Sequence, residues 1–335
     1  MAQVQIADVY EPLTFDAGVQ EAAIELNRFY QSGIMVDDSQ LTDQAATGGR
    51  IGELPFYDYL ATGTDPDIMT DDPTDTATPA KITSDKQIWR LAALHYSWST
   101  MNLARDLALQ DPLGAIINRI GGWWATQNEK RLLNSCAGIL ADNDANDDDD
   151  MFNSIYSDIV TPLAANIISA EAVLDTAQTL GDHKDMLSTI VMHSVTQTNL
   201  LKDDLIDYVP DSTGKNMVPY YLGYRVIVDD SMTVTAGSNT PQYTTIMFAP
   251  GAFSLGYGRL SVPSEVEREP NVGNGSGQDI IHSRESIIIH PQGFQFTSSS
   301  VTDESATNAE LATAGNWDRV VDRKHVGIAF LLHNN

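Results

Sequence analysis

The chain has 335 residues, of which 42% are hydrophobic, enough for one large domain or two ordinary ones around a sizeable core. Its formal net charge is −27 with no cluster of Lys and Arg, which argues against a reader of nucleic-acid sequence and leaves open a wall that merely surrounds nucleic acid. One cysteine, Cys136, excludes an intramolecular disulfide framework, and no stretch approaches the ~18 apolar residues of a membrane span.

Asp8, Glu11 and Asp16 precede the first basic residue, Arg28, which is the reverse of a secretory start. A reducing, cytoplasm-like compartment is expected. Val19, Ala22, Ala23, Leu26, Phe29 and Tyr30 fall at helical spacing. They predict an amphipathic helix in an N-terminal arm that needs a partner surface. Residues 37–86 are rich in Asp, Thr, Gly and Pro, and such composition is expected to hold no core of its own. The apolar pieces Ile51–Leu60 and Ile88–Tyr96 flank the Asp-rich part and suit two strands of a long hairpin. Extended hairpins expose edges, so a partner is expected there too.

Asp111 is a good N-cap and Pro112 fits a first helical position. Leu113, Ile116, Ile117, Ile120 and Trp124 form one stripe, and Leu133, Cys136 and Leu140 continue it. A helix over 111–140 is predicted, about 45 Å long. Gly121-Gly122 in its middle suggests that another backbone passes close by. Asp142–Asp150 reads as a solvated acidic loop. Helices are predicted over 169–181, capped by Ser169, and over Val195–Tyr208. Leu187–Met192, Tyr224–Val228, Thr244–Phe248, Ile287–Ile289 and Val326–Leu332 read as strands, and Gly273–Gly277 as a turn.

Catalytic signatures are near misses. Gly251–Gly256 lacks the spacing of a nucleophile elbow, and Gly214-Lys215 lacks the rest of a phosphate loop. Asp142, Asp144 and Asn146 match the first three positions of a calcium loop, but Asp147 stands where Gly is required and Asn153 where a bidentate Glu is required. They are the metal candidate, set against a solvated charge run. His282 and His290 share a strand face about 26 Å apart, too far for one metal. Cys136, among leucines and isoleucines, reads as a small buried apolar residue.

A pattern spread along the chain carries a resemblance. Ile6–Tyr10, the Asp-rich hairpin at 50–97, and Asp111-Pro112-Leu113 with its long helix are parts of it. So are Tyr221–Asp230, Met247–Ala252, Glu267-Arg268-Glu269, Arg284 and His290–Phe294. Together they resemble the major capsid proteins of tailed bacteriophages. The resemblance implies the HK97-like capsid fold, an α+β architecture. Its expected parts are an N-terminal arm (1–49), an extended loop (50–98), a peripheral domain (99–160 and 260–310) with the spine helix 111–140, and an axial domain (161–259). Residues 311–335 are expected to pack back on the axial domain.

The implied function is structural. Copies would assemble into hexamers and pentamers of an icosahedral shell around packaged double-stranded DNA, with no catalytic residue, no cofactor and no membrane. A tail or decoration subunit, or a metal-dependent hydrolase using the Asp-rich loops, are the alternatives. Leu26, Phe29, Arg90, Arg268 and Arg284 are the candidate interface residues. No charged helical segment precedes the arm, so a separate scaffolding protein is expected, with a portal and a decoration protein as further partners. Assembly in the host cytoplasm and residence in the virion capsid follow from the same resemblance.

Overall fold

The computed structural model describes residues 27–57, 65–74, 76, 79–108, 112–210 and 217–335. The elements in chain order begin with α1 (Arg28–Gln31), β1 (Met35–Asp37), α2 (Ser39–Ala46), β2 (Ile51–Tyr57), β3 (Ser84–Arg90), β4 (Ala92–Met101), α3 (Asn102–Ala108), α4 (Pro112–Asn146) and β5 (Phe152–Ser154). They continue with α5 (Ala170–Gln178), β6 (Thr189–Met192), α6 (Ser194–Lys202), β7 (Asp207–Pro210), β8 (Met217–Tyr221), β9 (Tyr224–Val228), β10 (Val234–Thr235) and β11 (Gln242–Phe248). The last are β12 (Phe253–Tyr257), β13 (Ser264–Glu269), β14 (Gln278–Pro291), β15 (Phe294–Phe296), α7 (Asn308–Leu311), β16 (Trp317–Arg319) and β17 (Ile328–His333).

Two sheets organise the described residues. The larger runs β5-β17-β11-β6-β9-β8-β7, with β10 on the edge of β11. Its side chains alternate between two cores, as a pleated strand requires. Ala329 and Leu331 of β17 join Met247, Ile190 and Val226 under Val173 and Ala177 of α5. Ile328 and Phe330 of the same strand join Ile246 and Phe248 on the other face, against Leu132, Leu133, Cys136 and Ile139 of α4. Ser169 caps α5 by accepting from Ala172 N at 3.3 Å, as its place before the apolar pattern predicts.

The second sheet is built on β14, which pairs with β12 and β13 along one edge and with β4 along the other. The N-terminal half of α4 lies along this strand. Ile120 packs with Ile281, Trp124 Nε1 donates to Ser283 Oγ at 2.9 Å, and Asn128 Nδ2 donates to Glu285 Oε1 at 3.1 Å. Four helical residues rise about 6 Å and two strand residues about 6.6 Å, so the two periodicities stay in step over these three contacts. The long helix thus ties both sheets together.

Several expectations change. The long helix runs to Asn146, so only the end of the acidic stretch is turn; Asp148 and Asp149 carry φ of 54° and 59° there. Helix-terminal hydrogen bonds and packing against the C-terminal segment outweigh the poor helix propensity of Asp. The capping role of Asp111 lies outside the described residues. Residues 37–49 are not core-free: α2 is capped by Asp38 and buries Leu41 and Ala45 against Trp89 and Ile288. The predicted helix after Val195 stops at Lys202 and the chain turns into β7. Phe152–Ser154 pairs with β17, so this piece of the expected peripheral segment belongs to the large sheet. Phe253–Tyr257 pairs with β14, so this piece of the expected axial segment belongs to the smaller one.

One close backbone approach on α4 is at Gly138. A Cβ at Gly138 would collide with the Leu311 carbonyl oxygen and the Trp317 indole, whose Nε1 donates to that same oxygen at 2.7 Å. In an open helix, Gly→Ala gains about 1 kcal/mol. Here overpacking costs about 1–3 kcal/mol. We expect Gly138→Ala to lower stability in urea denaturation, whereas an unchanged or raised midpoint would show that the C-terminal segment yields freely.

Candidate assembly surfaces

The β2–β3 hairpin pairs Ile51 with Arg90 through Tyr57 with Ser84. Its base is anchored: Trp89 is 2% exposed, lies over Gly52, and donates from Nε1 to Gln44 Oε1 at 2.9 Å. Every described residue from Asp65 to Lys86 is exposed, and none before Ser84 is in a strand. Ile68 and Met69 are 89% and 97% exposed among aspartates. Sequence reading did not single out these two residues, although an apolar pair inside an Asp-rich run was the available signal.

The candidate interface residues separate. Leu26 lies outside the described residues. Phe29 is a correction: it is fully buried, with its ring edge-on to Phe248 at 6.4 Å between centroids, so it belongs to the subunit's own core. The same helical stripe that suggested an interface is consumed inside the chain at this position. Arg90 donates from Nη2 to the carbonyl oxygens of Asp303 at 2.6 Å and Glu304 at 2.9 Å, pinning the hairpin base to a distant loop. Arg284 donates to Val262 O and Glu265 Oε1, each at 3.0 Å. Arg268 is exposed, with its Nε 3.9 Å from the buried Asp279 carboxylate.

The metal candidate is also corrected. Asp142, Asp144 and Asn146 are helical, and two residues along a helix turn about 200°, so Asp144 leaves the face of the other two. Asp142 is 2% exposed and accepts from Asn146 Nδ2 at 2.7 Å. Among the described residues no group of three or more His, Cys, Asp or Glu is placed to hold a metal. The acidic run instead docks the C-terminal segment. Arg319 grips Asp150 with two parallel bonds, Nη1 to Oδ1 at 2.7 Å and Nη2 to Oδ2 at 3.0 Å, and Arg323 Nε donates to the Asp150 carbonyl at 3.1 Å.

Cys136 is buried, and burial raises its thiol pKa. His282 is not near His290; it stacks on His95 with centroids 5.4 Å apart. His290 is buried with Nε2 3.2 Å from Gln87 Oε1, and His333 sits 2.9 Å from Thr245 Oγ1. Burial pushes both imidazoles down to about 4. Burial pushes the Glu285 carboxyl up to about 7, against the opposing pull of the Asn128 hydrogen bond and the Arg131 charge. Their partners are far away in sequence: Glu285 meets Asn128 only when α4 packs on β14, and His333 meets Thr245 only when β17 pairs with β11.

Residues 120–327 match the family model described as major capsid protein 13-like. The whole chain is 35% identical, over 337 aligned positions and 99% of each chain, to the major capsid protein of Bacillus phage SPP1. The chain belongs to this major capsid protein family. It is a structural coat subunit of a tailed-bacteriophage virion, and a tail or decoration role is set aside. Among solved structures, the Cyanophage Pam1 capsid asymmetric unit superposes with a TM-score of 0.56 at 10% identity, covering 93% of both chains. The capsid of Ralstonia phage GP4 superposes with a TM-score of 0.52 at 9% identity, covering 90% of this chain and 87% of that one. At such identities the likeness speaks for the fold alone, and the fold of the coat subunit is the α+β, HK97-like one. No helix among the described residues is long and apolar enough to cross a membrane.

Proposed function

We propose that copies of this coat subunit form hexamers and pentamers that tile a closed icosahedral shell around packaged double-stranded DNA, with the β2–β3 hairpin reaching onto a neighbouring copy. The observation that carries this reading is the hairpin itself: a buried anchor at Trp89 and a far part whose described residues are exposed, Ile68 and Met69 among them. Head-to-tail contacts of this kind close into rings and then shells. In this reading residues 1–49 are the arm, 50–98 the extended loop, and the sheet of β5, β17 and β11 the axial unit. The peripheral unit is α4 with the sheet around β14, and the C-terminal residues pack on the axial unit. Arg268, exposed at the edge of that peripheral sheet, is the arginine with reach to a neighbour.

A net charge of −27 suits an inner wall that encloses DNA without binding its sequence, and it keeps free subunits apart before assembly. The subunit acts by geometry and carries no catalysis. We place its assembly in the host cytoplasm. A separate scaffolding protein, a portal and a decoration protein complete the expected partners.

The test removes residues 62–79, bridged by a short Gly-Ser linker, under conditions where the wild type forms shells. Negative-stain microscopy and sedimentation are expected to find no closed shells, while the thermal transition of the subunit moves by only a few degrees. Shells of normal size from the deletion would overturn the assembly role of the hairpin.

A further inference from the structure

Asn274-Gly275 is the only Asn-Gly pair in the sequence, and it lies in the turn between β13 and β14. The two residues carry φ of 55° and 93°, a tight-turn conformation that Asn tolerates and Gly adopts freely. Both are exposed. The bond that closes the turn, from Ser276 N–H to the Gly273 carbonyl, is long at 3.4 Å. A Cβ placed at Gly275 would meet nothing within 4 Å, so the backbone here has open space in which to change shape. Among the described residues neither the Asn274 carboxamide nor the Gly275 N–H finds a hydrogen-bond partner.

Other asparagines outside the helices are held. Asn239 donates from Nδ2 to the Asp158 carbonyl at 3.0 Å, and the N–H of Thr240 after it donates to Asp158 Oδ1 at 3.2 Å. Asn153, Asn166 and Asn316 donate from Nδ2 to the carbonyls of Ala172, Ile155 and Glu310 at 3.2, 2.8 and 2.8 Å. Asn271 shares the turn with Asn274, but the branched Val272 follows it and crowds the backbone nitrogen.

We propose that Asn274 is a site of spontaneous deamidation in the native subunit. The Gly275 nitrogen attacks Asn274 Cγ and gives its proton to solvent hydroxide. The N–Cγ bond forms, the Cγ–Nδ2 bond breaks, and the amide nitrogen leaves as ammonia with a proton from water. A five-membered imide remains, and one water opens it. Attack at Cγ gives aspartate. Attack at the Asn274 backbone carbonyl carbon gives isoaspartate, whose main chain runs through Cβ and Cγ. The net change consumes one water and releases one ammonia. Either product adds a negative charge to a chain already at −27. Isoaspartate also lengthens the turn by a methylene, close to the point where Asn102 N–H donates to the Gly277 carbonyl at 3.1 Å and ties the turn to the start of α3.

The test incubates the full-length subunit at pH 8 beside the same chain unfolded in guanidinium. Proteolysis and mass spectrometry follow the amide-to-acid change at each asparagine, and an isoaspartyl methyltransferase counts the isoaspartate. In the folded chain Asn274 is expected to convert at least tenfold faster than Asn239, to yield both products, and to keep within about threefold of its unfolded rate. Conversion no faster than at Asn239 would overturn the proposal. So would aspartate without isoaspartate, which means direct hydrolysis of the amide. A folded rate more than about threefold below the unfolded one would overturn it as well, since the turn would then lock Asn274 as Asp158 locks Asn239.

Discussion

Replacing Phe29 by Asp unfolds the free subunit instead of only blocking its assembly. Phe29 is fully buried and meets Phe248 edge-on, within the core that joins α4 to the large sheet. Truncation to Ala removes the ring and leaves a cavity, a loss of about 3–5 kcal/mol. Asp adds the desolvation of a carboxylate with no cation placed to meet it, several kcal/mol more. A domain holds only about 5–15 kcal/mol in total, so the second change consumes most of it. Urea denaturation followed by circular dichroism should give a markedly lower midpoint for Phe29→Ala and no cooperative transition for Phe29→Asp. A Phe29→Asp subunit that melts like wild type yet makes no shells would restore this residue to the interface.

Mild acid is expected to destabilise the subunit through its two buried histidines. In the unfolded chain a histidine takes up a proton near pH 6.5, whereas His290 and His333 in the folded chain do so only near 4. The unfolded state therefore binds more protons between those values, and stability falls as pH drops through this window. Each histidine accounts for about 3 kcal/mol of that loss. Glu285 works in the opposite direction. Its folded pKa is raised to about 7 from 4.5, so its stabilising contribution is present at low pH and is lost as pH rises between those values, again about 3 kcal/mol. Two histidines outweigh one carboxyl, leaving a net loss of about 3 kcal/mol from pH 7 to pH 4.5. Glu285→Gln removes the compensating group. It should raise stability near pH 7.5, match wild type near pH 4, and steepen the acid loss. Guanidinium midpoints at several pH values read all three, and a flat profile for wild type and variant alike would show that these groups titrate normally in the folded chain.

Much of the fold was legible because local chemistry dictated it. Pro112 and the Leu113, Ile116, Ile120, Trp124 stripe set the long helix, and Ser169 set the start of α5. Strands such as Tyr224–Val228 could be read because their apolar runs sit between turn residues; Leu222 and Gly223, with φ of 52° and 87°, make one such turn. The sequence also carried the family resemblance, since the order of arm, hairpin, long helix and compact unit is itself a linear property.

What a linear pattern could not decide is which face of a stripe meets the chain itself and which meets another copy. Phe29 and Leu26 read alike along the chain, yet α1 folds back so that Phe29 enters the core beside Phe248. Asp142 read as an exposed loop acid, yet helix hydrogen bonds and the docked C-terminal segment carry it into a buried site. Trp89 gave no hint that it would lock a hairpin onto α2 and Ile288, 45 positions from Gln44 of α2 and 199 from Ile288. Burial of this kind depends on long-range packing, whose free energy exceeds local propensity, so the sequence alone determined the elements and the class of protein. The tertiary structure decided which apolar groups are spent within the subunit and which stay exposed for assembly.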